Sequence, residues 1–456
     1  MNPDIKKRII VIGGNAAGAA AATNAKRTCP ESEVVIYEKS PYISTGTCEI
    51  PYVLSGEIEN YGKIVFFNSD EFWKKKGVQV HEKHSVLEIK RKTHIVVVRN
   101  NETGKLFEDR YDKLILATGS KAEIPEGLEC GCKNVFTLKN IPDLRRADEF
   151  INCNNSKNAL IIGSGYIGLE TAEALKKRGL RVAIIEKEEL PLPAADIEIR
   201  ERIRKLLEKE NIRFIGEAAT LKFSVKANEA DSLNINGRFV EADLFIICTG
   251  VKPDVFLAEY AEIKTGETGA IKVNSRMQTS DPNILAAGDC VEVSNFITGN
   301  PDYIPLATLA YKQAQVAGIN SAGGSELFGQ VVKNLAVQIF DKSCVMVGLS
   351  ENEIKRERKN YVSASVETDD LVSVMPQKEK LFGKIMTDKF SGNILGASFW
   401  GSRSAAGLGD LVSFSIKNKI NFRRFRDTEF NYTPLLSPFH NILSVLSKKL
   451  EKESYG

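Results

Sequence analysis

The sequence is poor in histidine and tryptophan and has no excess of charge of either sign. It contains four His and two Trp among 456 residues, and 62 basic side chains stand against 59 acidic ones, for a net charge of +3. This balance gives no electrostatic case for nucleic acid or an anionic membrane as a partner, and it favours a small molecule. No run of about 18 apolar residues occurs, so we expect no membrane span.

The cysteines lack the regular spacing of a disulfide framework. This usage is typical of a reducing compartment, so we expect a cytoplasmic protein. Cys130 and Cys132 form a lone C-x-C pair in "GLECGCKNV". Because no second ligand pair lies nearby, we interpret them as an incidental surface-loop pair and expect no metal site. The eight cysteines are Cys29, Cys48, Cys130, Cys132, Cys153, Cys248, Cys290 and Cys344.

Two segments of the chain share one plan. "RIIVIGGNAAGAAAATNAKR", followed by "EVVIYEKS", and "NALIIGSGYIGLETAEALKKRGLRVAIIEKEE" each contain an apolar strand, a glycine turn, a helix of small residues and a second strand that ends in Glu. The turn also explains the apolar N-terminal run better than a secretory signal does, because glycines interrupt it. The repeat predicts two dinucleotide-binding units.

The second unit carries the complete G-x-G-x-x-G pattern, at Gly163, Gly165 and Gly168. These glycines allow a tight turn, close approach of a pyrophosphate and close helix packing, while the helix N-terminus offers N–H groups to the phosphates. Glu186 follows 18 residues after Gly168 and is expected to accept hydrogen bonds from a ribose. Its charge disfavours a 2′-phosphate and so favours NADH, but the nearby cations Arg181 and Lys187 leave NADPH as an alternative.

The first unit departs from the pattern at its middle position. Asn15 stands where a glycine is expected, so Gly13, Gly14 and Gly18 must form the turn. Glu38 follows 20 residues after Gly18 and provides the second expected ribose acceptor.

Three further strands end in residues that are suited to binding a ligand. "YDKLILATGSKAEIP" and "ADLFIICTGVKPD" each run into a Thr-Gly turn, at Thr118-Gly119 and at Gly250. "TSDPNILAAGDCVEV" ends in Gly288-Asp289, which places the Asp289 carboxylate at the edge of a sheet where α/β proteins bind ligands.

From about residue 330 the pattern becomes that of a third, α+β domain. Four strand-like stretches precede a helical "GLGDLVSFSIKN", and we expect the Lys- and Glu-rich end "SKKLEKESYG" to be a solvated tail. The strand-like stretches are "KNLAVQIF", "SCVMVGLS", "YVSASVET" and "LFGKIMTD".

The chain resembles the FAD-dependent pyridine nucleotide-disulfide oxidoreductases. The resemblance lies in the order of its elements, which are the two glycine units, the Thr-Gly turns, Gly288-Asp289 and the late α+β domain. The resemblance implies an α/β fold in which residues 1–120 and 253–328 bind FAD, 121–252 bind NADH or NADPH, and 329–456 form a homodimer. The implied cofactor-binding residues are Gly13, Gly14, Ala17, Gly18, Glu38, Lys39, Thr118, Gly119, Gly163, Gly165, Tyr166, Ile167, Gly168, Glu170, Glu186, Gly250, Asp289, Leu306 and Ala307.

One cysteine, Cys48 in "YISTGTCEIPYVLSGEI", resembles the redox cysteine of the single-cysteine branch of this family. That branch contains coenzyme A disulfide reductases, NADH oxidases, NADH peroxidases and persulfide reductases. The later "YIPLATLAYKQAQVAGIN" resembles its flavin-edge helix, with Leu306 and Ala307 near the ring. Tyr166 and Glu170 are implied to gate and contact the nicotinamide.

Cys48 has no partner cysteine within five residues. It must therefore form a disulfide with a substrate thiol, or cycle through a sulfenic or persulfide state, after the flavin has accepted a hydride. The reactive form is a thiolate, so we expect a helix N-terminus or the flavin environment to lower the pKa of Cys48 and Glu49 to face elsewhere.

Other positions bear on the substrate. Ala16 replaces the His of NADH peroxidases, which disfavours peroxide cleavage. Tyr432 in "NYTPLLSP" resembles a catalytic tyrosine that coenzyme A disulfide reductases receive from the partner subunit, whereas Asn24 and the pair Val374-Met375 replace a basic residue and a second tyrosine of those enzymes.

The sequence therefore predicts an NAD(P)H-dependent reductase of a small disulfide, persulfide or polysulfide, with coenzyme A disulfide as the leading candidate. Oxygen reduction by an NADH oxidase remains the alternative. A flavin redox sensor, or an electron donor to a partner protein, is the alternative of another class.

Overall fold

The first glycine-rich unit is a parallel sheet, seen in a computed structural model that describes residues 6–455. Its strands read as almost continuous apolar runs because helices and loops cover both faces of the sheet, and Ile9, Ile10 and Val11 are fully buried. In spatial order the strands are Ile284–Ala286, Lys113–Leu116, Arg8–Ile12, Glu33–Tyr37 and Gln79–His81.

The second unit repeats this plan in a separate parallel sheet. Its helix Tyr166–Lys177 follows the glycine turn, as Ala16–Thr28 does in the first unit. Helices Ile141–Asn154 and Ile197–Lys209 also belong to it. The strands are, in order, Val135–Thr137, Leu244–Ile247, Asn158–Ile162, Arg181–Ile185 and Arg213–Ile215.

Helix Ala307–Ser321 returns to the first unit and packs against Ala16–Thr28. The crossing is close because Gly318 lies against the backbone of Ala21: a Cβ added at Gly318 would lie 2.3 Å from the Ala21 carbonyl oxygen. Small residues on both helices are thus required by the packing distance.

Short antiparallel segments connect these sheets. Ile43–Thr45 pairs with Val65–Phe67, and Ser120–Ala122 pairs with Val251–Pro253, which joins the two Thr-Gly turns. The remaining antiparallel strands are His84–Lys90, Ile95–Asn100 and Leu106–Arg110; Leu221–Lys226, Glu229–Ile235 and Arg238–Glu241; and Val293–Ser294 with Pro301–Asp302. The short helices are Thr47–Glu49, Ile50–Leu54, Tyr61–Ile64, Ser69–Lys76, Phe256–Tyr260, Glu351–Arg356 and Phe422–Phe425.

The third unit is an antiparallel five-stranded sheet with helices Ala405–Lys417 and Ile442–Tyr455 against it. All four quoted stretches are strands, and the fifth, Ile394–Gly401, was not predicted. The sheet order is Asn334–Ile339, Lys342–Gly348, Ile394–Gly401, Lys380–Asp388 and Tyr361–Asp369.

The expectation of a solvated tail is wrong. Residues up to Tyr455 continue a helix whose Leu446 and Leu450 are fully buried, because apolar residues four apart share the face turned to the sheet. Gly456 lies outside the described residues. The structure confirms the predicted α/β class with two dinucleotide-binding units. Within residues 6–455, no helix has the length and apolar character needed to cross a bilayer.

Candidate active site

Cys48 lies in the single helical turn Thr47–Glu49, which runs directly into helix Ile50–Leu54. Its side chain is exposed. Helix Ile50–Leu54 packs against Tyr166–Lys177 of the second unit, and Ile50 and Leu54 belong to the same buried cluster as residues of that unit. Cys48 is thereby held at the junction of the two dinucleotide-binding units.

Asn15 ties the first glycine turn to the segment that carries Cys48. Its side-chain oxygen accepts hydrogen bonds from the backbone N–H of Thr45 at 2.9 Å and from the Thr45 hydroxyl at 3.1 Å. The Ser44 N–H donates to the Gly14 carbonyl at 2.9 Å. Because the Asn15 side chain is committed to Thr45, it does not cap its own helix, and the N–H groups of the first helical turn remain for a ligand.

The glycines of both turns are explained by backbone contacts. Gly13 and Gly163 have φ of +102° and +101°, a region that favours glycine. A Cβ added at Gly18 or Gly168 would lie 1.8 or 2.1 Å from the carbonyl oxygen of the first glycine of its turn. At Gly165 an added Cβ would meet nothing within 4 Å, so this position leaves the space that a pyrophosphate needs.

The two strand-end carboxylates brace these turns. Glu38 accepts hydrogen bonds from the N–H groups of Gly14 at 2.7 Å and Ser40 at 2.8 Å. Glu186 is buried, and one of its oxygens accepts from the N–H and the hydroxyl of Ser164 at 2.9 and 2.6 Å. Both carboxylates lie at the C-terminal edge of their sheets, and their oxygens have lone pairs left to accept hydrogen bonds from ribose hydroxyls.

One part of the NADPH expectation is wrong. Arg181 begins strand Arg181–Ile185, whereas Glu186 follows its end. At about 3.3 Å per residue the two side chains stand roughly 16 Å apart, at opposite edges of the sheet. Arg181 therefore cannot neutralise a 2′-phosphate beside Glu186. Lys187 is adjacent and exposed, and is the remaining cation of the two.

Asp289 lies where it was expected, beyond strand Ile284–Ala286, and its partners come from other parts of the chain. The Ser120 hydroxyl donates to its carboxylate at 2.9 Å, and the Lys139 ammonium lies 3.4 Å away. The preceding Gly288 donates its N–H to the buried side chain of Gln313 at 2.8 Å. Helix Ala307–Ser321 thus holds the loop that presents Asp289.

The charges around Cys48 correct the expectation that Glu49 faces elsewhere. Partial burial raises the pKa of the Cys48 thiol, and the carboxylates of Glu49, Glu170 and Asp289 raise it further, whereas only Lys139 lowers it. Together the chain's own groups raise the pKa of the Cys48 thiol, and Glu49 contributes to the rise because it is close enough to affect the thiol. The physical reasons are, first, that burial disfavours the charged thiolate and, second, that three acidic groups outnumber the one cation around it.

Tyr166 and Glu170 lie on the first turns of the second unit's helix and share this environment. Burial raises the pKa of Glu170 to about 7, and Glu173 adds to the shift. Burial also raises the pKa of Tyr166, followed by the charges of Asp289, Cys48 and Glu170. The residues implied for the nicotinamide and the redox sulfur are therefore brought together.

Tyr303 supplies a test of whether a cofactor fits. Its buried hydroxyl makes no well-formed hydrogen bond, although the Ser120 side chain lies beside it, and burial and Asp289 raise its pKa. An unsatisfied buried hydroxyl is costly, so a polar group of a ligand fits here. Leu306 and Ala307 lie three and four residues further on, where helix Ala307–Ser321 begins. These features fit a flavin dinucleotide laid between Gly13 and Asp289.

The remaining predicted residues are placed as follows. Gly119 and Gly250, with φ of +70° and +118°, lie on the joined Thr-Gly turns, and the Thr118 hydroxyl donates to the Asp254 carbonyl at 2.6 Å. Lys39 is exposed and lies 3.5 Å from the Asp254 carboxylate. Ala17 and Ile167 lie in the first turns of the two glycine-turn helices.

Among the described residues, no hydrogen bond or ring contact joins Tyr432 to the Cys48 segment. Tyr432 is exposed and meets Phe439 edge to face, with ring centroids 5.3 Å apart. Leu435, Leu436 and Phe439 beside it are exposed apolar side chains.

Sequence reasoning missed Lys139 and Tyr303. Neither stands in a glycine motif, and each reaches Asp289 only through the fold. The position of Tyr303, three residues before the expected flavin-edge residue Leu306, was the one available signal.

Comparisons with known proteins agree with this site. Residues 7–317 match the family model described as pyridine nucleotide-disulphide oxidoreductase. The chain is 34% identical to an NAD(P)H sulfur oxidoreductase (CoA-dependent) of Pyrococcus furiosus, over 98% of this chain and 99% of the relative. It is 31% identical to an NADH oxidase of Methanocaldococcus jannaschii, over 98% and 99% of the two chains.

A solved structure leads to the same conclusion. The NAD-dependent persulfide reductase of A. fulgidus superposes with a TM-score of 0.94 at 29% identity, covering 98% of this chain and 84% of the other. The chain belongs to the pyridine nucleotide-disulphide oxidoreductase family.

Proposed function

We propose that the protein is an FAD-dependent oxidoreductase that uses NADH or NADPH to reduce a small disulfide, persulfide or polysulfide through Cys48. Coenzyme A disulfide is the leading candidate substrate. The observation that carries the proposal is the position of the exposed Cys48 thiol, between the two dinucleotide-binding units and beside Glu170 and Asp289.

The other cysteines support a single-sulfur route. Cys248, Cys290 and Cys344 are buried, and the Cys290 thiol donates to the Ala287 carbonyl at 3.4 Å. No disulfide joins any of the described cysteines. Cys48 must therefore take its sulfur partner from the substrate, as a mixed disulfide or a persulfide.

The chain's residues would bind and orient the cofactors. The first glycine turn, Glu38, Asp289 and Tyr303 would hold FAD, and the second turn with Glu186 would hold the nicotinamide dinucleotide. Bound FAD supplies the conversion of a hydride into an electron pair for the sulfur. Lys139 would stabilise the Cys48 thiolate, and Glu170, with its pKa near 7, would hold or release a proton at the nicotinamide side.

Relatives with sulfur substrates support the substrate class. The Pyrococcus furiosus protein is named a CoA-dependent sulfur oxidoreductase, and the Archaeoglobus structure is named a persulfide reductase. The basic residues near Asn24 are less favourable for coenzyme A phosphates, because the Lys26 ammonium already donates to the Ser32 carbonyl at 2.8 Å. Arg27 is exposed and is the cation of this helix that remains for a phosphate.

The dinucleotide preference we propose is NADH. Glu186 is buried and held by hydrogen bonds from Ser164, and its carboxylate would repel a 2′-phosphate placed beside it. Exposed Lys187 is the one nearby cation. The ratio of kcat/KM for NADH to that for NADPH tests this, and Glu186→Ala should lower the ratio.

We propose that the protein forms a homodimer in which Tyr432 reaches the Cys48 of the partner subunit. The exposed apolar segment around Leu435, Leu436 and Phe439 supports an interface there. Chains carrying Cys48→Ser and chains carrying Tyr432→Phe should regain activity when they are refolded together, because one site of the mixed dimer keeps both residues. Failure to recover activity in a dimer shown to be mixed would contradict a shared site.

The decisive experiment is an anaerobic NADH titration of the purified flavoprotein, followed by turnover with coenzyme A disulfide, coenzyme A persulfide, polysulfide and oxygen. Cys48→Ser should abolish reduction of the sulfur substrates, while Cys153→Ser, at another exposed cysteine, should leave it unchanged. Full sulfur turnover by Cys48→Ser would refute the proposal. Reduction that required a second protein would instead favour an electron-donor subunit.

Oxygen reduction is the second candidate, favoured by the 31% identical NADH oxidase of Methanocaldococcus jannaschii. Oxygen consumption faster than reduction of every sulfur substrate, and dependent on Cys48, would establish it.

A further inference from the structure

Two cysteines outside the site are in direct contact through a backbone-to-sulfur hydrogen bond. Cys130 and Cys132 were interpreted as an incidental surface-loop pair, but Cys132 is buried, and its backbone N–H donates to the Cys130 sulfur at 3.3 Å. We propose that Cys130 and Cys132 form a redox-active dithiol site that small disulfides oxidise to an intraloop disulfide.

The residue between them makes the ring feasible. Gly131 has φ of +62°, a left-handed conformation that glycine adopts without strain. An added Cβ at Gly131 would meet nothing within 4 Å, so the loop has room to adjust its torsions when the sulfurs bond. A side chain between the cysteines would restrict both features.

Hydrogen bonds anchor the chain on both sides of Cys130 and Cys132, so we expect disulfide formation to change only the loop between these anchors. Before it, the Glu123 N–H donates to the Gly250 carbonyl at 3.0 Å. After it, the Lys133 N–H donates to the Asn228 carbonyl at 3.1 Å, and the Asn134 side chain bonds the Ala230 carbonyl at 2.7 Å. Both redox states therefore keep the surrounding sheet.

Exposure assigns the order of attack. Cys130 is half-buried at the surface of the loop, whereas Cys132 packs into the core with Leu128. Burial raises the pKa of the Cys132 thiol to about 12, and the contact with Cys130 adds to the shift. Cys130 is thus the thiol that meets the disulfide, and its conversion to a mixed disulfide removes its own share of the effect on Cys132.

The reaction balances as two exchanges. The Cys130 thiolate attacks a disulfide RSSR, forming Cys130–S–S–R and releasing one RS⁻, which takes up the proton that Cys130 gave to solvent. Cys132 then attacks the Cys130 sulfur, loses its proton and displaces the second RS⁻. The dithiol loses two electrons and two protons, and RSSR becomes two RSH.

The site is tested on the flavoprotein with glutathione disulfide as the probe. After incubation, free thiols are alkylated with N-ethylmaleimide and the peptide spanning 130–132 is weighed. We expect an unalkylated peptide about 2 Da lighter than the dithiol form, reversed by dithiothreitol. Cys153, an exposed cysteine without a neighbour, should carry glutathione instead.

Two variants separate the steps. Cys132→Ala removes the second thiol, so Cys130 should retain glutathione as a stable mixed disulfide. Cys130→Ser should leave the buried Cys132 reduced. Two results would overturn the proposal. One is full alkylation of both residues at a glutathione disulfide concentration that modifies Cys153. The other is glutathione on Cys130 of the wild type that is as stable as in Cys132→Ala. Cys48 is read on a different peptide, so this result is independent of the proposed function.

Discussion

The Asn15 side chain holds Thr45 by two hydrogen bonds, at 2.9 Å to its N–H and 3.1 Å to its hydroxyl. This contact joins the first glycine turn to the strand that precedes Cys48. The departure from the usual glycine spacing therefore has a structural purpose, since a glycine at this position would satisfy the turn but leave the cysteine segment without its anchor.

Asn15→Gly should keep the cofactor and impair the sulfur chemistry. Each lost hydrogen bond is worth about 1 kcal/mol, and a misplaced reactive sulfur should reduce kcat with the sulfur substrate roughly tenfold or more. Flavin absorbance gives occupancy and steady-state kinetics give kcat. Thr45→Val removes only the 3.1 Å bond and should have a smaller effect. Wild-type kcat in Asn15→Gly would show that the anchor does not matter.

Lys139 and Glu49 should act on Cys48 in opposite directions. Lys139 lowers the pKa of the thiol, so Lys139→Met raises that pKa and reduces the thiolate fraction at pH 8, while Glu49→Gln does the reverse. The rate at which iodoacetamide alkylates Cys48 should therefore fall in the first variant and rise in the second. Lys139→Arg keeps the cation and should resemble the wild type. Equal rates in all three variants would contradict this electrostatic account.

Glu170 should make the stability depend on pH. Its pKa is about 7 in the folded protein against an ordinary 4.5, so the folded state keeps a proton that the unfolded chain releases between these values. Stability is therefore lost as the pH rises from about 4.5 to 7, by at most about 3 kcal/mol. Glu170→Gln should raise the melting temperature relative to wild type at pH 8 more than at pH 5. An equal difference at both values would refute the shifted pKa.

Lys384 should be the most costly lysine to remove from the third unit. Its side chain is 3% exposed and pairs with Glu198 of the second unit and with Glu351. Lys384→Met leaves these carboxylates partly buried without their cation and should cost about 3–5 kcal/mol. Lys380→Met, on the same strand but 69% exposed, should cost far less, because an exposed ion pair contributes little to stability. Thermal unfolding of the two variants compares them directly.

The ion pair between Lys384 and Glu351 predicts that the folded protein loses stability in acid. Partial burial opposes ionisation of Glu351, but hydrogen bonds from Lys384 and Tyr361 outweigh it and lower the pKa to about 2, from an ordinary 4.5. Because the folded pKa is depressed, the stabilisation is complete above about pH 4.5 and is lost as the pH falls toward 2.

Local signals predicted most of the fold. The apolar strands, the glycine turns and the spacing from Gly18 to Glu38 and from Gly168 to Glu186 all lie within single strand-turn-helix units, where neighbouring residues dictate the backbone. The strand Ile394–Gly401 was missed because it is buried along its whole length and shows no alternation. The last helix was missed because its charged surface masks an apolar face.

The site was predicted less completely, because its charges come from distant parts of the chain. Lys139 lies beside Asp289 although 150 residues separate them, and no motif marks the lysine. Burial raises the pKa of the Cys48 thiol, and the charged side chains that raise it further or oppose the rise lie on four separate segments.

By itself the sequence determined the two dinucleotide-binding turns, the absence of a nearby partner cysteine for Cys48 and the family, because these depend on residue types at short spacings. Only the tertiary structure decided the environment of that cysteine: Asn15 anchoring its strand, three carboxylates raising its pKa, and Lys139 opposing them. Electrostatic interactions depend on distances between charges, and in this protein those distances are set by how the two dinucleotide-binding units pack against each other.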